Sequence, residues 1–221
     1  QWNEDPLMKN LPDTSQNIDK LRRFLPLVDH SFITTNPSVL KLSKKFAQYI
    51  HFFMTPVDKN IECFDVFNLK PAMDLFYAMS HGVNRANLKK GKIDDRINFL
   101  NKLTNNLKNI NYDFYGFKNK EPIWGDNFYN ALTNSKMGLN LSRGEPIKYY
   151  SSDRLTQIIG NGLVTLIDDK TFYRDFFEND EMVFYKNIND LSEKIKKISL
   201  DEKMRKNIGR KGKVKYLKYF N

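Results

Sequence analysis

Short apolar runs separated by amphipathic stretches recur along this chain, and that alternation constrains its fold more than any other feature. From Asp74 the runs are DLFYAMS, YDFYGF, MGLNL, LVTLI and MVFY, each a strand's length. Between them stands DDRINFLNKLTNNLK, with Ile97, Leu100, Leu103 and Leu107 at helical spacing. NFYNALTNS, SDRLTQII and TFYRDFF are the shorter helical stretches, and NDLSEKIKKIS, started by Asn189 or Asp190, is a longer one before a final basic helix. Strands that alternate with helices build a parallel sheet with helices on both faces. Strands buried on both faces are apolar throughout, as these are. The expected fold is α/β, a Rossmann-like parallel sheet.

A shorter alternation precedes it. HSFITT reads as a strand, Asn36-Pro37 opens a helix carrying Val39, Leu40 and Phe46 on one face, and YIHFFMTPVD is a strand ended by Pro56. Residues 59–73 read as a connector. The chain lacks an initiator Met, and Gln1-Trp2-Asn3 reads like the end of a strand, so a truncated chain is expected. The expected division is a remnant of one Rossmann-like domain with its linker, 1–70, and a second such domain, 71–221.

At 221 residues, 40% apolar and 14% aromatic, the chain has material for a sizeable core. No apolar run approaches the ~18–20 residues of a membrane helix. QWNEDPL does not read as a signal peptide, and Cys63 is the single cysteine, so a cytoplasmic protein without disulfides or a zinc cluster is expected. The formal charge is +10, and eight Lys or Arg with no acid lie from Lys203 onward. That tail reads either as a basic face toward phosphates or an anionic membrane, or as a solvated terminal helix. No nucleic-acid-binding motif is present, and no nucleic-acid partner is expected.

In an open α/β sheet, ligands bind beyond the carboxyl ends of the strands. After DLFYAMS comes SHGVNRANLKKGK. Gly82 permits close backbone approach, and Arg85, Lys89, Lys90 and Lys92 precede a helix N-terminus, a setting for a phosphate or diphosphate. His81 is a cleft donor or a structural histidine. After YDFYGF, Gly116 and Phe117 either let a planar ring approach and stack, or Phe117 and Trp124 are simply core. After MGLNL come Ser142, Arg143 and Gly144. Ser151 or Ser152 then caps a helix on which Arg154 and Gln157 are neighbours. Arg suits bidentate phosphate contact and Gln suits sugar hydroxyls. The alternative pairs Arg154 with Asp153 or Glu145. Gly160-Asn161-Gly162 then turns the chain into LVTLI.

Two stretches, DLFYAMSHGVNRANLKKGKIDDR and SKMGLNLSRGEPIKYYSSDRLTQIIGNGLVTLID, resemble the C-terminal, donor-binding domain of GT-B glycosyltransferases of the group 1 and CgeB-like type. The resemblance covers about two thirds of the chain and makes residues 1–58 the tail of the acceptor-binding domain, with the linker running on to residue 70. It implies a cleft for a nucleotide-diphosphate sugar, with Arg85 and one of Lys89, Lys90 or Lys92 on the diphosphate. Tyr150, Ser151 and Ser152 would add contacts, and Arg154 fits the family's Arg at the helix start. Gln157 stands where the family usually places a ribose-binding Glu, and the E-x7-E spacing is missing. The resemblance implies sugar transfer to a glycan or lipid-linked acceptor in cell-surface polysaccharide synthesis, with no metal and no cofactor. If transfer inverts, a general base comes from the acceptor side, where Glu4 and Asp5 are the residues to name, or simply begin a turn before Pro6. The competing function is a non-catalytic module for a nucleotide or phosphorylated ligand.

Overall fold

The computed structural model describes residues 2–3, 19, 22–40, 50–80, 95–142, 144–150 and 152–220. Two parallel sheets form. The first is short: β1 (Trp2–Asn3), β2 (Ser31–Ile33) and β3 (Ile50–Phe52) lie side by side in that order. Pro37–Leu40 makes one 3₁₀ turn, and the rest of the helix expected after Asn36-Pro37 lies outside the described residues.

The second sheet has five strands: β4 (Met73–Ala78), β5 (Tyr112–Tyr115), β6 (Ser135–Asn140), β7 (Val164–Asp168) and β8 (Val183–Tyr185). The order is β5-β4-β6-β7-β8, all parallel. The helices are α1 (Asp95–Asn106), α2 (Gly125–Thr133), α3 (Asp153–Gly160), α4 (Ile188–Leu200) and α5 (Glu202–Phe220). The expected Rossmann-like α/β sheet is therefore present. TFYRDFF departs from its expected single helix: it makes two 3₁₀ turns, broken at Phe172, whose φ is 60°. The start of α4 also falls earlier, because Asn187 Oδ1 accepts from the Asp190 N–H at 3.0 Å and caps it.

The strand period sorts residues to the two faces. Leu75 and Tyr77 point to one side, with Met137, Leu139, Val164 and Leu166, and are covered by Leu100 and Leu103 of α1 and Leu191 and Ile195 of α4. Phe76 and Ala78 point to the other, against Phe128 and Leu132 of α2 and Ile158 of α3. Leu155 and Ile159 of α3 complete that layer with Tyr216 of α5. Strand β4 is the switch point. Its successor β5 lies on one side and β6 on the other, so the connections leave in opposite directions and open a crevice above β4 and β6.

The basic tail is used inside the molecule. Arg205 is buried and donates to the main-chain oxygens of Val66 at 3.2 Å and Leu69 at 3.1 Å. Lys213, also buried, donates to Phe64 O at 2.8 Å and pairs with Asp65 at 2.9 Å. Lys206, Lys211 and Lys215 pair with Glu202, Asp180 and Glu181. Five of the eight cations thus bind this chain itself, which departs from both a free basic face and a wholly solvated helix. Among the described residues no helix is long and apolar enough to cross a membrane.

Arg205 and Lys213 hold the connector from α5, and the Gly160-Asn161-Gly162 turn holds it from α3. Asn161 is fully buried. Its Oδ1 accepts from Phe64 N at 3.1 Å, its carbonyl from Val66 N at 3.0 Å, and its Nδ2 donates to the Glu62 carboxylate. Tyr129 of α2 donates to the same carboxylate at 3.1 Å. Helix α5 crosses this turn at Gly209, where any Cβ would run into the Gly162 carbonyl oxygen. Gly209→Ala should therefore cost about 2 kcal/mol, a fall in melting temperature of roughly 4–8 °C. An unchanged midpoint in a thermal melt would show that α5 does not sit this close.

Candidate functional site

The crevice is organised around Tyr77, near the carboxyl end of β4. Its hydroxyl donates to Leu141 O at 3.2 Å, just past the end of β6. Arg154, in the first turn of α3, lays its guanidinium 4.7 Å from the centre of the Tyr77 ring. Its Nε donates to Ala78 O at 2.7 Å and its Nη1 to Leu141 O at 3.1 Å. One planar fork thus spans the carboxyl ends of β4 and β6, which a lysine's point charge cannot do. The same Nη1 reaches Ser152 Oγ at 3.3 Å. Arg96, buried in the first turn of α1, places Nη1 3.4 Å from the Tyr77 hydroxyl. Burial holds the Arg154 guanidinium below its ordinary value, and Arg96 adds to this, while Tyr77, Tyr150 and Asp153 oppose it. Two cations so close to a strand end favour an anion there.

Ser152 stands at the N-cap of α3 with extended backbone, φ −92° and ψ 166°. Its side chain does not cap the helix, contrary to expectation; the hydroxyl bonds Asn140 Oδ1 at 3.2 Å instead. Asn140 is the last residue of β6, and Ser152 is drawn to it because both sit on the rim of the sheet.

Beside this crevice a cavity of about 230 Å³ opens at the carboxyl ends of β6, β7 and β8. The last residues of those three strands, Asn140, Asp168 and Tyr185, line it, together with Arg96, Tyr150 and Lys170. Asp168 Oδ1 accepts from Lys170 N at 2.9 Å. Burial raises the Asp168 carboxyl above its ordinary value of 3.8, and Asp169 and Glu145 push it the same way. The Gly144–Tyr150 loop closes one wall. Asp95 Oδ2 accepts from Gly144 N at 2.8 Å, Lys148 O accepts from Asn36 N at 3.0 Å, and Tyr149 N donates to Thr171 O at 2.8 Å. Tyr149 has a φ of 64° and donates its hydroxyl to Asp175 at 2.6 Å; that bond, with some burial, pushes the phenol up to about 12.

The other expected residues are dispersed. Tyr150 is buried and lines the cavity. Gly116, φ 75°, makes a tight turn in which its N–H donates to Lys120 O at 2.9 Å. Phe117 is core, 3% exposed and edge-on to Phe114, so it offers no face to a planar ring. Trp124, by contrast, is 65% exposed at the N-cap of α2 and is not core. Gln157 lines a different hollow, against Thr55–Asp58 and against Ile61 and Glu62 at the start of the connector, and its carbonyl accepts from Asn161 Nδ2 at 2.8 Å. Glu4, Asp5, His81, Gly82, Arg85, Lys89, Lys90, Lys92, Arg143 and Ser151 lie outside the described residues. Arg96, Asn140, Asp168 and Tyr185 were not expected. A polar residue ending an apolar strand, Asn140 in MGLNL and Asp168 after LVTLI, was the available signal for two of them.

Among the described residues no group of three or more His, Cys, Asp or Glu side chains is placed to hold a metal ion. Residues 96–221, more than half of the chain, match the family model described as glycosyl transferase-like, and the chain belongs to that family. No curated protein matches it in sequence. Among solved structures it is similar to TarM of S. aureus, at 12% identity and a TM-score of 0.68 over 100% of this chain and 47% of that one. Sucrose-phosphate synthase from Thermosynechococcus elongatus aligns at 12% identity and 0.60, over 94% of this chain and 58% of that one. Anabaena HepE, solved with UDP, aligns at 8% and 0.63, over 100% and 67%. At these identities the likeness establishes the GT-B Rossmann-like fold. The chain spans about half the length of the first two.

Two outcomes follow from the site. Arg154→Ala removes the side-chain donor to Ala78 O and leaves Leu141 O with the Tyr77 hydroxyl alone, and should cost about 2–3 kcal/mol in a denaturant titration; a loss under 0.5 kcal/mol would refute the bridging role. Asp168 has a folded-state value above its unfolded one, so between the two the folded protein holds the extra proton. Its contribution to stability therefore declines as pH rises through that window. Asp168→Asn should gain melting temperature relative to the parent from pH 4 toward neutrality. A difference that is flat with pH would contradict the raised carboxyl.

Proposed function

We propose that this chain is the donor half of a glycosyltransferase, which moves a sugar from a nucleotide-diphosphate sugar to a glycan or lipid-linked acceptor in cell-surface polysaccharide synthesis. The observation that carries this reading is the fork of Arg154 at the switch point, with the first turn of α3 and Arg96 beside it. Cations and a helix N-terminus stabilise the negative charge that develops on a departing diphosphate, so no metal is required in this reading. Residues 1–70 belong to the acceptor side, where a base for an inverting reaction would be found. The match to a glycosyl transferase-like family and the similarity to HepE, solved with UDP, support the same reading.

A second reading, a non-catalytic nucleotide-binding module, is favoured by Gln157. It carries no charge, and it faces the connector hollow rather than the cavity beside Tyr150.

The test is a thermal-shift comparison of this chain with UDP, GDP, ADP, CMP and dTDP. A ligand at ~100 times its dissociation constant stabilises by ~2.7 kcal/mol, or roughly 5–10 °C for a chain of this size. One diphosphate should give this shift, and Arg154→Lys should reduce the ligand-induced part while retaining a cooperative melt. No shift with any of them in a cooperatively unfolding sample would sink the donor reading.

A further inference from the structure

We infer that the cavity at the ends of β6, β7 and β8 seats the sugar ring of the donor, and that Asp168 and Tyr185 select that sugar by its hydroxyls. The inference rests on the donor reading above and adds to it the residues that would set sugar specificity. Four observations carry it. First, the cavity adjoins the arginine. Leu141, whose carbonyl accepts from Arg154 and from Tyr77, is also part of the cavity wall. A ligand with its phosphates at Arg154 reaches the cavity without leaving the rim of the sheet.

Second, the size fits one ring. About 230 Å³ lies below the ~300–1,000 Å³ of sites that enclose whole drug-sized ligands. Third, the charges do not ask for another anion. Arg96 and Lys170 are offset by Asp95, Glu145 and Asp168 around the same space. A neutral ring with several hydroxyls suits that balance better than a second phosphate.

Fourth, Tyr185 is 1% exposed, lines the cavity, and its hydroxyl has no hydrogen-bond partner among the described residues. A buried hydroxyl left unpaired weakens a fold, whereas phenylalanine in its place would not. Tyr185 and Asp168 are register partners on adjacent parallel strands, so they stand side by side on one face. A phenol O–H donates and a carboxylate accepts, which together read two hydroxyls of one sugar. A group seated in the cavity supplies the partner that the phenol lacks.

This gives an unusual expectation: Tyr185→Phe should stabilise the free chain while weakening its ligand. Calorimetric titrations would use the whole chain with UDP-glucose, UDP-N-acetylglucosamine, GDP-mannose, ADP-glucose and dTDP-glucose, each beside its bare nucleoside diphosphate. In the parent, one nucleotide sugar should bind tighter than its nucleotide. Tyr185→Phe should weaken that nucleotide sugar roughly 3–10-fold, and Asp168→Asn about 10-fold or more, with the bare nucleotide unchanged within twofold. The melting temperature of Tyr185→Phe should rise or hold. Equal weakening of nucleotide and nucleotide sugar, no weakening of either, or a parent that binds the sugar form no more tightly, would each overturn the assignment while leaving nucleotide binding intact. A marked fall in the melting temperature of Tyr185→Phe would assign the hydroxyl a structural role and also overturn it. If no nucleotide and no nucleotide sugar bound the parent, the donor reading itself would fail.

Discussion

Arg154 is the interaction on which the rest of the structure depends. At a switch point the chain leaves β4 in one direction and enters β6 from the other, so the two strand ends expose carbonyls that no further ladder bond satisfies. Arg154 answers Ala78 O and Leu141 O with one guanidinium, and it lies on the face of Tyr77. The contact fixes where α3 begins, and through Leu141 it fixes one wall of the cavity. A half-buried cation is costly to desolvate, and its stabilisation here comes mainly from carbonyl dipoles and a ring face.

The connector between the sheets is held by groups that in isolation look like surface chemistry. Glu62 is buried, and burial raises its carboxyl above the ordinary value, against the pull of Tyr129, Asn161 and Lys213. Arg205 and Lys213 spend their charges on main-chain oxygens between Phe64 and Leu69. A loop that crosses a domain surface has unsatisfied carbonyls, and long cationic side chains from a neighbouring helix can serve them while their stems pack against apolar surface. Two of the eight cations from Lys203 onward answer this local need, and three more pair with Glu202, Asp180 and Glu181.

The fold was legible because its signal is periodic. Apolar runs of strand length and the spacing of Ile97, Leu100 and Leu103 recur in sequence with the same period as they recur in space. The site was only half legible. Arg154 was marked by its place at a helix start after a strand, and the structure brings it to the rim of the sheet. The roles of its donors were not readable, since carbonyl partners from Ala78 and Leu141 are far away in sequence. Phe117 and Trp124 show the same limit: nothing in GFKNKEPIWGD says which aromatic turns inward, because a tight turn at Gly116 decides it. Tyr185 gave no sign at all, being one more aromatic in an apolar strand.

Helix α3 is fastened at both ends, and to different things. Its first turn grips the sheet through Arg154, while the turn that ends it is locked to the connector through Asn161. Eight residues at ~1.5 Å each make a stiff rod of about 12 Å. A rod pinned at one end to the sheet and at the other to the connector is a lever. A small displacement of the connector is converted into a tilt at Arg154, without any change inside the helix itself.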